Sequence, residues 1–320
     1  MFRSKLILPR CLHGWAYSAL PAACVLLGLL QSFASETLPR KPFAEWADVP
    51  AERQFNIRFS YVEGEAYHVW YGREQKNISV KKQGEEYGID PMYGVIAMEY
   101  GLTPRWTADL NVGYGTVGTR SYNPGAGSQS TSGILDVNVG VRYQIFHESD
   151  AQPWLPTFAF RAGGILPGTY NKRFPFAPGS HSAAIEPSIY VKKHFGWTGF
   201  GAYGEASYRW MRTSGDDQYT AAVGFFQEIC SWNFNAGYRH FQQISGDDLL
   251  PVPVGTPISY SPQVREINDA MEAGFSYTTT QRWKWGFYTT KIFDGSNTDS
   301  RFLISGYLEI PFQRKKPSLE

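Results

Sequence analysis

The chain has little cysteine, almost no net charge and no long hydrophobic run. Three cysteines occur in 320 residues. Cys11 and Cys24 lie in an N-terminal stretch read below as a cleaved signal, which leaves Cys230 alone in the mature chain. One thiol excludes an internal disulfide and a cysteine metal site. Lys and Arg number 30 against 29 Asp and Glu, a formal charge of +1, so nothing suggests a nucleic-acid partner. Mean hydropathy is −0.34, and the apolar runs are short of the roughly 20 residues a spanning helix needs. That excludes a helical membrane protein. His68, His147, His181 and His194 lack metal-ligand spacing. There is no phosphate loop, zinc motif or nucleophile elbow, so neither a metal nor a cofactor is expected.

What is present is aromatic and glycine-rich: aromatics are 16% and Gly numbers 32. The N-terminus has the three parts of a secretory signal: basic Arg3, Lys5 and Arg10, an apolar core from Leu20 to Leu30, and small residues in Ser32-Phe33-Ala34. Cleavage is expected after Ala34. A transmembrane anchor and lipidation at Cys24 are the rival readings. The expected layout is a signal at 1–34, a leader at 35–52 that lies in the periplasm or is tucked into the barrel, a barrel at 53–312, and a periplasmic tail at 313–320.

Five short turns end at tryptophan: Gly101 to Trp106, Asp150 to Trp154, His194 to Trp197, Cys230 to Trp232 and Thr280 to Trp283. Between them lie pairs of alternating runs joined by longer polar loops. Phe55, Ile57, Phe59 and Tyr61 alternate with Asn56, Arg58 and Ser60, a clean period of two. The same pattern recurs through Phe302, Ile304, Gly306, Leu308, Ile310 and Phe312. Residues 63–90, 119–132, 166–181 and 245–263 read as long loops, with a continuation of the first strand through Tyr67 to Tyr71 as the alternative in the first of them. The fourth strand is placed at 135–145 with Leu135 outward, and Pro187 predicts a bulge or kink. The count is twelve strands. An even count puts both ends on one side, as in bacterial outer-membrane barrels. The fold class is therefore all-β, one antiparallel transmembrane barrel with short periplasmic turns and longer extracellular loops. Trp106, Trp154, Trp197, Trp232, Trp283 and Phe312 form the periplasmic aromatic girdle.

Lipid offers the backbone no hydrogen-bond partner, so only a closed barrel can span with strands. Nearly all charge falls on the other face. Arg58, Glu99, Asp109, Asp136, Arg142, Arg161, Glu186, Lys192, Glu205, Arg209, Glu228, Arg239, Glu272, Lys284 and Glu309 are expected to line the lumen. Their alternating signs suit either a salt-bridged, partly plugged interior or a narrow polar pore without strong ion selectivity. A weaker alternative is an interfacial lipid hydrolase or acyltransferase: His240 is placed at the outer rim facing lipid, with Ser245 and either Asp247 or Asp248. A third is a structural or export component. Outer-membrane lipids, lipopolysaccharide and the barrel-assembly machinery are the expected partners.

Four segments carry a resemblance: Glu99-Tyr-Gly-Leu-Thr-Pro-Arg-Trp-Thr107, Phe160-Arg-Ala-Gly-Gly-Ile-Leu-Pro-Gly-Thr-Tyr170, Gly204-Glu-Ala-Ser-Tyr-Arg209 and Phe293-Asp-Gly-Ser-Asn-Thr298. They resemble the bacterial outer-membrane barrel family named for the meta-cleavage pathway of phenol degradation. The likeness spans most of the mature chain but contains no catalytic residue. It implies an outer-membrane barrel that takes up small, often aromatic or hydrophobic, molecules.

Overall fold

An alternating strand needs a neighbour on each edge, and in this chain every long strand finds two. The computed structural model describes residues 45–82, 85–119, 129–148, 154–171, 174, 177–196, 198–212, 217–246 and 264–313. Its strands, in order, are β1 (Gln54–Glu65), β2 (His68–Tyr71), β3 (Glu74–Asn77), β4 (Val80–Lys82), β5 (Glu85–Tyr87), β6 (Ile89–Gly101), β7 (Trp106–Thr119), β8 (Gln129–Ile134), β9 (Val137–Phe146) and β10 (Thr157–Leu166). They continue with β11 (Ala184–His194), β12 (Phe200–Met211), β13 (Gln218–Ile229), β14 (Trp232–Gln243), β15 (Ile267–Thr278), β16 (Lys284–Ser296) and β17 (Phe302–Gln313). β7 pairs with both β8 and β9, which act as one interrupted strand. β1 pairs with β6 on one edge and β17 on the other, so the sheet closes on itself as a barrel of 12 antiparallel strands. No edge is left to template aggregation.

The two faces divide as the period of two requires. Phe59, Tyr61, Ile185, Val223 and Phe225 are exposed on the outside, while Arg58, Tyr190, Tyr203 and Arg239 are buried inside. Three inward tyrosines lie flat on the wall because the positions they cover are glycines. Tyr203 lies over Gly224 and Gly237, Tyr288 over Gly274, and Tyr307 over Gly286; a Cβ at any of these four would collide with the ring above it.

Four local readings are corrected. Residues 63–90 are not one loop: they hold two hairpins, β2–β3 and β4–β5. The 119–132 segment contains the start of β8. Leu135 does not face outward. It is wholly buried at the β8–β9 break. The cause is Asp136, whose carboxylate accepts from Gly168 N–H at 2.8 Å, the Tyr170 hydroxyl at 2.9 Å and His181 N–H at 3.2 Å, and so draws the chain inward. Pro187 makes no bulge. It faces Ala162 in register on the β10 side. On the β12 side the ladder runs from Ile185↔Trp210 to Ser188↔Ser207 in unchanged register, without pairs at Glu186 and Pro187. Proline lacks a donor, so the ladder skips there without shifting.

Replacing Gly224 by Val should displace Tyr203 and lower the stability of the refolded barrel by about 1–3 kcal/mol. Urea titration in detergent measures it. The outward Val223→Ile change next to it should stay within about 0.5 kcal/mol of the native chain.

Candidate functional site

The candidate site is the barrel interior, which is filled in layers. The middle layer is charged. Arg58 on β1 meets Glu309 on β17 directly across the ladder, at 2.8 Å. Glu99 and Asp109 are like-charged cross-strand neighbours on β6 and β7. Each is matched by an arginine from further round: Arg142 reaches Glu99 at 3.1 Å and Arg161 reaches Asp109 at 2.6 Å. Arg209 holds Glu186 at 2.6 Å, and Arg239 holds Glu272 at 3.1 Å. Arg142 and Arg161 are among the most completely buried side chains described. An ion removed from water costs several kcal/mol unless it is paired, so the pairing of each of these acids with an arginine is what lets them fill the interior.

The expected leader supplies the next piece. Its described residues do not lie free in the periplasm but enter the barrel. Glu45 pairs with Lys284 at 3.0 Å, and Asp48 with Lys192 at 2.9 Å. The Ala47 carbonyl accepts from Gln144 at 3.0 Å. Trp46 stacks on Tyr190 with ring centres 5.4 Å apart, and the guanidinium carbons of Arg142 and Arg161 lie 5.3 and 6.0 Å from its ring centre. An aromatic face beside two cations is favourable, more so when water is excluded. Lys192 also reaches Glu228 at 3.1 Å. Glu228 in turn lies 3.4 Å from His194, whose other ring nitrogen is 2.9 Å from Glu148. Glu205 is buried on the inner face of β12. Burial would raise the Glu148 carboxyl. Hydrogen bonds from Lys193, the His194 N–H and the His194 ring outweigh it and hold the group below its ordinary value.

The long-loop end of the lumen holds two apolar clusters beside the buried Asp299–Arg301 pair. Val62, Ala66, Val69, Ile78, Ile89, Tyr93, Val95, Val117, Leu135, Tyr170, Phe174 and Ala177 form one buried cluster. Trp70, Ala270 and Ile292 form another. Asp136, expected on the lumen wall, sits here as the anchor of the 168–181 loop. It and burial together push the Tyr170 hydroxyl far above its usual range, burial being the larger cause. Among the described residues, no group of three or more His, Cys, Asp and Glu could hold a metal ion.

Outside the barrel, Trp106, Trp154, Trp232, Trp283 and Phe312 are exposed at the short-turn end. Trp197 lies outside the described residues. His240 lies eight residues above Trp232 on β14. That is about 26 Å along the strand, or about 20 Å of height for a tilted barrel strand. Its Nδ1 is 2.7 Å from Asp269 Oδ1, and its Nε2 is 3.2 Å from the Tyr219 hydroxyl. Tyr238 also donates to Asp269, and Tyr219 donates to Gln242 Oε1 at 2.7 Å. Ser245 is exposed beyond the end of β14, and Asp247 and Asp248 lie outside the described residues. The acid that meets His240 is thus Asp269, which the linear search missed. Counting outward positions on adjacent strands would have found it, since the two are cross-strand partners.

Arg142→Met should leave a buried Glu99 without its cation and cost about 3–5 kcal/mol. The double change Arg142→Met/Glu99→Met should recover most of that loss, read by the same urea titrations. The stabilising effect of Glu148 should be complete above its ordinary value, about 4.5, and disappear as pH falls through its depressed folded value. Hydrogen exchange at the His194 amide, which donates to Glu148 at 2.9 Å, should lose protection on acidification, and Glu148→Gln should remove that dependence.

The comparisons agree with this architecture. The family model described as "Putative MetA-pathway of phenol degradation" matches residues 116–302. The crystal structure of the COG4313 outer membrane channel from Pseudomonas putida F1 is 12% identical, with a TM-score of 0.64 over 86% of this chain and 100% of that one. The translocator domain of the autotransporter NalP from Neisseria meningitidis is 11% identical, with a TM-score of 0.48 over 85% of this chain and 92% of that one. A Pseudomonas aeruginosa FadL homologue is 9% identical, with a TM-score of 0.39 over 88% of this chain and 100% of that one. No curated protein matches the sequence. The chain belongs to the phenol-degradation MetA-pathway family, and its fold is that of a bacterial outer-membrane β-barrel.

Proposed function

We propose that this chain is a passive outer-membrane channel for small hydrophobic, including aromatic, compounds. The observation that carries the reading is the mostly apolar outer third of the lumen. A pore for ions or sugars needs polar groups where the solute first sheds water. Here most of that place is built from Val62, Tyr93, Val95, Val117, Ala270 and Ile292, and the charges beside it, Asp299 and Arg301, neutralise each other at 2.6 Å. Family membership supports the reading, and the related P. putida barrel is itself described as a channel. The charged layer and Trp46 then act as a narrow inner constriction that holds back water-soluble traffic.

Cells lacking the protein should take up radiolabelled toluene several-fold more slowly than cells that carry it; equal rates would remove the proposal. In planar bilayers the native barrel should conduct ions poorly. Deleting residues 45–48 should raise the conductance several-fold by removing Trp46 and both leader ion pairs.

A second reading is favoured by one observation, the outward Asp269–His240 pair. Such a pair at the outer leaflet could act as an acid–base couple on lipid esters. Mass spectrometry of lipid A and phospholipids should show a change on His240→Ala if so, and unchanged lipids end that reading.

A further inference from the structure

The long-loop end is closed by a different device from the charged layer. The β2–β3 hairpin leaves the wall after β1 through Ala66, whose backbone exchanges two hydrogen bonds of 2.9 Å with Ile89. It returns at Ile78, whose N–H donates to the Tyr67 carbonyl at 2.8 Å. Between these points β2 crosses the mouth and pairs with the β16–β17 connection. Trp70 N–H donates to the Thr298 carbonyl at 2.7 Å, and Ser300 N–H donates to the His68 carbonyl at 2.8 Å. At the tip, Gly72 N–H donates to Asn297 Oδ1 at 2.8 Å, and Asn297 N–H donates back to the Gly72 carbonyl at 3.2 Å. The Asn297 amide also donates to the Arg265 carbonyl at 2.8 Å. Asn297 sits at φ 55°, a left-handed position that asparagine tolerates better than most residues. One side chain thus joins three outer segments.

What the hairpin covers is apolar. Val69 is wholly buried in the cluster with Val62, Ile89, Tyr93 and Val117. Trp70 lies on Ala270 and Ile292, two fully buried inward residues of β15 and β16. The contacts described above between the hairpin and the opposite wall are hydrogen bonds and apolar contacts. The nearby Asp299–Arg301 pair, at 2.6 Å, lies within the β16–β17 connection itself. Lifting the hairpin exchanges these hydrogen bonds for water at the aqueous rim and leaves the Asp299–Arg301 pair intact.

We propose that the β2–β3 hairpin is a lid, hinged at Ala66 and Ile78 and latched by Asn297. The Ala270–Ile292 surface beneath Trp70 is then an entry subsite for an uncharged aromatic or hydrocarbon solute. In the closed state the indole of Trp70 takes the solute's place. The inference rests on the channel reading above. A charged solute is disfavoured here, because burial against Ala270 and Ile292 would cost it its hydration.

The test is a reversible lock, His68→Cys/Ser300→Cys, in a Cys230→Ser background because Cys230 is exposed. Facing positions on paired antiparallel strands lie about 5.5 Å apart, within disulfide range. Heat-modifiable gel migration confirms that each variant folds. Toluene uptake is then measured in intact cells. The oxidised lock should fall to the level of cells lacking the protein, and dithiothreitol should restore it. Trp70→Ala, which empties the subsite, should raise uptake at low toluene concentration about two- to five-fold. Native-rate uptake by the oxidised lock, with the parent chain well above the deletion strain, overturns the lid and leaves the channel standing. Parent uptake equal to the deletion strain removes the channel reading, and the lid with it.

Discussion

The structure depends on one closure, the pairing of its first and last barrel strands. β1 and β17 run in register from Gln54↔Gln313 to Glu65↔Phe302. Without that seam two edges would offer unpaired amides and carbonyls to lipid, which cannot receive them. With it, every strand has two neighbours, and each residue is committed to lipid or lumen. Arg58 and Glu309 face each other across the seam, so the two ends of the chain are joined by an ion pair as well as by the ladder.

Closure creates an interior that must then be filled. Charged side chains do this only if opposite signs meet, and the barrel arranges this by setting two acids on β6 and β7 within reach of two arginines on β9 and β10. Glu99 and Asp109 would repel each other as neighbours, yet Arg142 and Arg161 reach them from β9 and β10. The leader enters where these arginines converge and lays Trp46 against both. From β12 to β17 a second device is added. There, Tyr203, Tyr288 and Tyr307 lie flat over glycines, so bulk is set against the strands rather than across the lumen, beside the Arg239–Glu272 and Lys284–Glu45 pairs.

Along the axis the chemistry changes again. The short-turn end is ionic, and the long-loop end is mostly apolar around one self-neutralised pair, Asp299–Arg301, with hairpin β2–β3 lying in the mouth. That order suits a molecule that is apolar, small and neutral. The outward His240–Asp269 pair lies off this path, on the lipid side.

By itself the sequence determined the class of fold, the twelve strands, which face of each meets lipid, and which ends carry the short turns. These are local properties: a period of two reports in or out at each position, and Trp-ended turns mark one membrane face. It did not determine which charges meet. Arg142 finds Glu99 on β6, and His240 finds Asp269 on β15, only through the register between strands, which the period of two leaves open. Nor did it determine that Leu135 turns inward, because that follows from Asp136 gathering donors more than thirty residues away. For the leader the sequence left two placements open, and it did not separate the β2–β3 hairpin from the first strand or its loop. Short polar and mixed segments look like surface loops until a closed wall of fixed diameter exists for them to enter, and that wall is a product of the tertiary structure alone.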